Sequence, residues 1–235
     1  MGPPAARRAV AYPAVALVSL DVAAAVLTGL VALFFGRTWR RTDDSLHLLF
    51  GVGFGLIALS FLAVSTSQFD LARPGEDWDA MRIAGQTGGA LVLVFAYLSA
   101  RRSGTARPWQ VLGWLVAAAL ALFAGLYWAA PPYAALPTLY ESFATAHAVQ
   151  FAAYIGCAVM AFAGYRAAPS TDRALVPAAY LAWAFSKYTW FAIDVTGSEV
   201  VVPLVFAWRF AAIGLLLLAV ALPARRSREV QRAAT

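Results

Sequence analysis

The 235 residues are 62% hydrophobic and 13% charged, with a mean hydropathy of +0.70 and a net charge of +6. A soluble domain is about 45–50% apolar and about 25% charged, so apolar surface on this scale excludes a single small core in water and makes lipid the solvent. The positive balance excludes a nucleic-acid surface, because the arginines stand in short clusters between apolar runs and do not interleave with aromatics on a polar background.

Seven apolar segments follow in chain order, each near the ~20 residues needed to cross the hydrocarbon. They cover 13–35, 46–66, 82–99, 109–129, 140–164, 174–195 and 200–221. The first follows Arg7 and Arg8, as a signal peptide would, but it is too long for a signal core and reads as a retained span. Pro13, Pro177 and Pro203 are expected in the first turn of their segments, where a missing N–H is tolerated. The expectation is an all-α integral membrane protein with seven transmembrane helices, residues 1–235 forming one transmembrane domain.

Arginine placement orients the chain. With the amino terminus outside, Arg37, Arg40, Arg41, Arg101, Arg102, Arg107, Arg166, Arg173, Arg225, Arg226, Arg228 and Arg232 are cytoplasmic. Only Arg7, Arg8 and Arg73 are outside. The expected location is the cytoplasmic (inner) membrane, crossed several times, with the carboxy terminus inside.

A repeat runs through the pattern. Thr42-Asp43-Asp44-Ser45-Leu46 opens span 2, and Thr171-Asp172-Arg173-Ala174-Leu175 opens span 6. Both follow a glycine–arginine end, Gly36-Arg37 and Gly164-Tyr165-Arg166. In that register Phe54 matches Trp183, Phe61 matches Trp190, and with a small gap Arg82 matches Arg209. Both copies end in paired arginines, Arg101-Arg102 and Arg225-Arg226. The expected plan is three helices, a linker helix and three more, with the triplets parallel. It resembles the architecture of the SWEET sugar transporters, whose parallel repeats are joined by one helix. The family's proline–glutamine type signature is absent from spans 1 and 5, so the resemblance carries over no residues.

Small residues predict close helix contacts at Gly51-x-x-x-Gly55 in span 2 and Gly85-x-x-x-Gly89 in span 3. Packing alone explains them.

Charges inside spans are costly in lipid, and four stand out: Asp21, His147, Lys187 and Arg209. The arginine at the end of each span gives a depth. Asp21 and Arg209 each lie sixteen residues from such an arginine, roughly 24 Å. Lys187 lies fourteen residues from Arg173, roughly 21 Å. His147 is a little further out. The four converge on one layer in the outer half of the membrane. Gln86, Gln150, Tyr154, Tyr188 and Trp190 fall near that level, with Arg82, Glu141 and Asp194 just above. A ligand-binding pocket is expected from Asp21, Gln86, His147, Gln150, Lys187, Tyr188 and Arg209.

Lys187 is the sharpest signal, as the one lysine beside seventeen arginines. Lysine can lose its proton when desolvated and can form a Schiff base, which arginine cannot. The plain alternative is an ion pair with Asp21 or Asp194. Microbial rhodopsins also combine seven spans with a buried lysine, but theirs is in the last span, where this chain has Arg209.

The remaining signals are plain. Cys157 has no partner for an internal disulfide and reads as a packing residue. His47 starts span 2 at the cytoplasmic face and His147 lies in the outer half, so they cannot share a metal or haem. His147 with Glu141 is a proton-relay arrangement or simple packing. Nucleotide-loop, zinc-helix and Ser–x–x–Lys motifs are absent, so an enzyme is not favoured. No cofactor or metal is expected.

The leading expectation is therefore a transporter or solute-binding protein for a small anionic or polar ligand, since Lys187 and Arg209 outnumber Asp21. A sensor or partner subunit, working with a cytoplasmic protein, is the second reading. A Schiff-base chromophore protein or intramembrane enzyme is the remote third. The expected partners are the lipid bilayer and such a ligand, and not nucleic acid.

Overall fold

The computed structural model describes residues 14–67, 76–101, 137–196 and 198–233. They form six α-helices: α1 (Ala14–Thr42), α2 (Ser45–Ser67), α3 (Glu76–Arg101), α4 (Pro137–Ala167), α5 (Thr171–Thr196) and α6 (Val202–Ala233). A 3₁₀ turn, Glu199–Val201, leads into α6. The expected span 109–129 lies outside the described residues.

Five helices hold stretches long and apolar enough to cross a membrane: Ala16–Thr42, Ser45–Leu62, Arg82–Ala100, Ala144–Ala167 and Val202–Pro223. The chain is a multi-pass helical membrane protein. Helix α5 is of similar length but more polar, and several of its polar side chains are buried in the bundle. Ten of its residues are buried, Ser186, Lys187 and Thr189 among them. A polar side chain can be kept in a span when it points into the bundle.

The helices run past the expected spans, α1 and α6 farthest. Helix α1 continues through Arg37, Arg40 and Arg41 to Thr42, and α6 continues through Pro223 to Ala233. Backbone hydrogen bonding does not stop where apolarity does, so helix ends outlast the hydrophobic pattern. Helix α5 also starts earlier than its apolar run, at Thr171. That places Pro177 inside the helix, where its ring removes the N–H that would bond the Arg173 carbonyl. Pro203 is the second residue of α6, as the first-turn rule expects.

Helices α1 and α2 are joined by Asp43 and Asp44 alone. Asp43 takes a left-handed conformation with φ of 52°. Its N–H closes the end of α1 on the Trp39 carbonyl at 2.7 Å. Asp44 caps α2, its Oδ1 accepting from the Leu46 N–H at 3.0 Å.

The helices pack as a ring in chain order, each against the next, and α6 closes it against α1. Within each triplet neighbours are antiparallel. Between triplets they are parallel: α3 runs beside α4, and α6 beside α1. The α2–α3 contact is close. A Cβ on Gly89 would lie 2.6 Å from Ile57 Cγ1 and 2.7 Å from the Gly53 carbonyl. One on Gly85 would lie 2.8 Å from Ser60 Cβ. On α2 the residue that admits this approach is Gly53. Gly51 faces α1, near Ala32 and Gly36, and Gly55 meets nothing within 4 Å. The small-residue motif thus holds on α3, whereas on α2 it divides among different faces.

The core is an aromatic column. Phe54 meets Trp183 at 6.1 Å between ring centroids, and Trp183 stacks on Tyr154 at 5.4 Å. Tyr97 meets Tyr180 edge-on at 5.8 Å. Phe35 stacks on Phe54 at 5.8 Å.

Candidate functional site

The buried ionisable groups lie together on the side of this column away from the arginine-rich ends. Asp21 on α1 and Arg209 on α6 form an ion pair at 2.6 Å, their side chains 7% and 3% exposed. Helical spacing explains why both point inward. Asp21 shares a face with Ala24, Ala25 and Thr28, all buried, and Arg209 with Val205, Phe206, Ala212 and Ile213. The Arg209 guanidinium also lies 4.5 Å from the Phe61 ring centroid and 4.8 Å from that of Phe206. Ring faces carry partial negative charge, so they supplement the carboxylate in balancing the cation.

Lys187 on α5 is 1% exposed, and its ammonium donates to Gln86 Oε1 on α3. Neither anticipated carboxylate is its hydrogen-bond partner: Asp21 is engaged by Arg209, and Asp194 by His147. Arg209, Arg82 and Asp21 are nevertheless close enough to act on its charge. The local charge is therefore positive around Lys187, with one nearby carboxylate.

His147 Nδ1 and Asp194 Oδ2 are 2.7 Å apart, joining α4 to α5. The imidazole stacks on Trp190 at 6.0 Å, and Arg82 approaches the same indole at 5.4 Å. The side chain of Glu141 lies outside the described residues. Gln150 donates to Thr87 Oγ1 at 2.8 Å and toward the Ile83 carbonyl at 3.4 Å, tying α4 to α3.

Of the seven residues read from the sequence, six are buried and line the interior: Asp21, Gln86, His147, Gln150, Lys187 and Arg209. Tyr188 is not among them. It is 53% exposed and meets Phe151 and Phe191 on the outer surface. One residue along a helix is a turn of about 100°, so the neighbour of an inward Lys187 points outward.

Several polar atoms in this layer and below it are buried with no hydrogen-bond partner among the described residues: Gln86 Nε2, Gln150 Oε1, Tyr154 Oη, Trp183 Nε1 and Thr28 Oγ1. Tyr154 lies close enough to Arg209 for the phenol and the guanidinium to interact. An unsatisfied buried polar group costs about 1–3 kcal/mol, and these atoms have capacity for further hydrogen bonds. Gln86 and Trp183 offer N–H donors, and a hydroxyl can donate as well. Depth alone had flagged Tyr154, but not the open valence of Trp183. Its signal is an indole on the same face as Lys187, four residues away.

Among the described residues no three His, Cys, Asp or Glu side chains gather as metal ligands. Cys157 is a buried free thiol. His47 is partly exposed at the arginine-rich end of α2, with Nδ1 3.4 Å from Asp44 Oδ2.

Residues 15–104 match a family described as "Family of unknown function (DUF5985)". The matched stretch coincides with α1–α3, the first triplet. No curated protein and no solved structure matches the chain.

Proposed function

We propose that this protein binds a small anionic or polar solute in the buried layer between its two triplets and carries it across the membrane. The observation that carries this reading is the buried Lys187 ammonium on Gln86, whose Nε2 has no hydrogen-bond partner among the described residues, with Arg209 and Arg82 nearby. A carboxylate or similar anion has the lone pairs to satisfy several donors and the charge to match Lys187, Arg209 and Arg82. Lys187 and Arg209 are the proposed anion-facing groups, with Gln86, Gln150 and His147 as the polar wall and Asp21 holding Arg209 in place.

The reading includes seven crossings, with the amino terminus outside and the arginine-rich ends in the cytoplasm. Helices α3 and α4 point the same way, which one returning segment between them accommodates. It also includes a parallel repeat relating α1–α3 to α4–α6. Contacts between the triplets support the repeat in pairs. Arg82 stands over Trp190, and their repeat equivalents, Arg209 and Phe61, form the matching contact. Phe54 touches its own equivalent, Trp183, as residues beside a two-fold axis do. Gln150, at the position equivalent to Asp21, lies against α3 near Arg82 as Asp21 lies against Arg209. That the family match ends where the first triplet ends agrees with a three-helix unit. Transporters built of repeats hold their substrate at the repeat interface.

A thermal-shift screen of the purified protein with small carboxylates, inorganic anions, amino acids and sugars tests the site, with Lys187→Met in parallel. A ligand of the folded state raises the melting temperature by linkage. A stabilising anion whose effect disappears in Lys187→Met is the expected result. A response equal in both proteins, or none, counts against the site. Flux of the stabilising anion into proteoliposomes then tests transport.

A sensor that passes ligand binding to a cytoplasmic partner is the second reading. It is favoured by the continuation of α6 to Ala233, well past the apolar stretch that ends at Pro223. Binding without flux selects it.

A further inference from the structure

A second feature lies at the arginine-rich ends of α3, α4 and α5. A cavity of about 370 Å³ is lined by Tyr97 and Ala100 of α3, Ala161 and Gly164 of α4 with Met160, Ala163 and Tyr165 beside them, and Arg173 and Val176 of α5. These residues continue the same helical faces that carry the charged layer. On α5 the face runs Arg173, Val176, Tyr180, Trp183, Lys187. On α3 it runs Gln86, Ala90, Leu93, Tyr97, Ala100. On α4 it runs Tyr154, Cys157, Ala161, Gly164. Steps of three and four keep each set on one side of its helix.

Between cavity and layer stand large aromatics of α2, α4 and α5, all buried to 1% exposure or less: Phe54, Tyr154, Tyr180 and Trp183. The rings interlock across helices, Phe54 on Trp183, Trp183 on Tyr154, and Tyr154 on Tyr180 at 6.4 Å. Four aromatics from three helices thus fill one level, above which is charge and below which is open space.

We infer that the cavity is a vestibule and that Phe54, Tyr154, Tyr180 and Trp183 form a gate between it and the charged layer. The inference rests on the solute-binding reading and adds the route to the arginine-rich side. Two observations distinguish a gate from an ordinary core. The polar tips of Tyr154 and Trp183 have no hydrogen-bond partner among the described residues, so this packing leaves them unsatisfied. Phe54 and Trp183 also come from different triplets, so movement of one triplet against the other separates the rings. Arg173 at the vestibule places a cation where an anion enters or leaves.

The test uses thiol access in the full-length protein, in sealed vesicles of each orientation. The probe is a negatively charged, membrane-impermeant methanethiosulfonate. Gly164→Cys in a Cys157→Ala background reports on the vestibule, because Gly164 lines the cavity and a Cβ there meets nothing within 4 Å. Thr87→Cys in a Cys157→Ala background reports on the far side of the gate. The thiol introduced by Gly164→Cys is expected to react from the arginine-rich side and not from the other. The thiol introduced by Thr87→Cys is expected to react slowly from the arginine-rich side. Adding Trp183→Ala should raise that rate about tenfold or more, the change expected when an open state populated at 10% or less becomes dominant. The rate from the opposite side should not change. Phe54→Leu is the milder second variant, which keeps an apolar core should the loss of the indole prevent folding. An unchanged rate in the folded variants overturns the gate. So does an equal rise from both sides, which reports a loosened bundle, or reaction of the Gly164→Cys thiol only from the opposite side. Labelling needs no transported solute, so the gate and the solute-binding reading fail separately.

Discussion

Arg209 donates to Asp21 at 2.6 Å across 188 positions of sequence, closing the ring of helices where α6 meets α1. The two are the ends of the described bundle joined by a single buried bond. Removing one partner strands the other charge where solvent is scarce.

Asp21→Asn and Arg209→Met should therefore each lower stability by about 3–5 kcal/mol, as expected when one half of a buried ion pair is lost. The double variant should recover much of that loss, since no charge is then stranded. Unfolding of the detergent-solubilised proteins, analysed as a double-mutant cycle, measures the coupling. Additive losses would show that the pair does not act as a unit.

Gln86 supplies the acceptor for the Lys187 ammonium, and its replacement separates charge balance from shape. Gln86→Leu should cost about 1–3 kcal/mol by leaving a buried donor unsatisfied. Gln86→Glu gives the same cation a charged acceptor and should fold better than Gln86→Leu. It should also weaken anion binding, because it cancels positive charge at the layer. Melting temperatures with and without the stabilising anion check both statements.

The glycines of α2 and α3 make a matched pair of tests. Gly89→Ala drives a Cβ to within 2.6 Å of Ile57 and should cost about 1–3 kcal/mol through overpacking. Gly55→Ala meets nothing within 4 Å and should be neutral or slightly stabilising. Thermal unfolding of the two variants ranks them. The reverse order would contradict the α2–α3 contact.

The repeat makes a numerical demand on distances. Leu33 and Tyr188 are equivalent to Phe162 and Leu59 when α1 and α2 are superposed on α4 and α5. All four are exposed. Spin labels at Leu33 and Tyr188, and separately at Phe162 and Leu59, in a Cys157→Ala background should give the same distance by pulsed electron resonance. A difference greater than about one helical turn, ~5 Å, rejects the two-fold relation.

Much of the described fold was legible because lipid imposes a simple rule: an apolar run of sufficient length is a helix. Depth was legible too, since each span ends in arginine and each residue adds a fixed rise. This is why Asp21 and Arg209 could be placed at one level before their contact was seen. Direction around each helix was not legible from depth. Tyr188 and Lys187 share a level, yet one faces outward and the other is buried. The partner of Lys187 was missed for a different reason. A search for opposite charges passes over Gln86, whose carbonyl oxygen is neutral but well placed. The vestibule left no composition signal, because Ala100, Ala161 and Gly164 are ordinary residues in a span and matter only through the space they leave.

Pro177 has a consequence for stiffness. It is buried inside α5, one turn from the vestibule residue Arg173, and deprives that turn of a backbone hydrogen bond. An intact helix resists bending evenly along its length, whereas one with a missing rung concentrates its compliance there. The segment of α5 beyond Pro177, which carries Trp183 and Lys187, can then tilt with little distortion of the end held by Arg173. Elastic energy stored by such a tilt would collect at a single backbone joint and leave the buried hydrogen bonds of the charged layer intact.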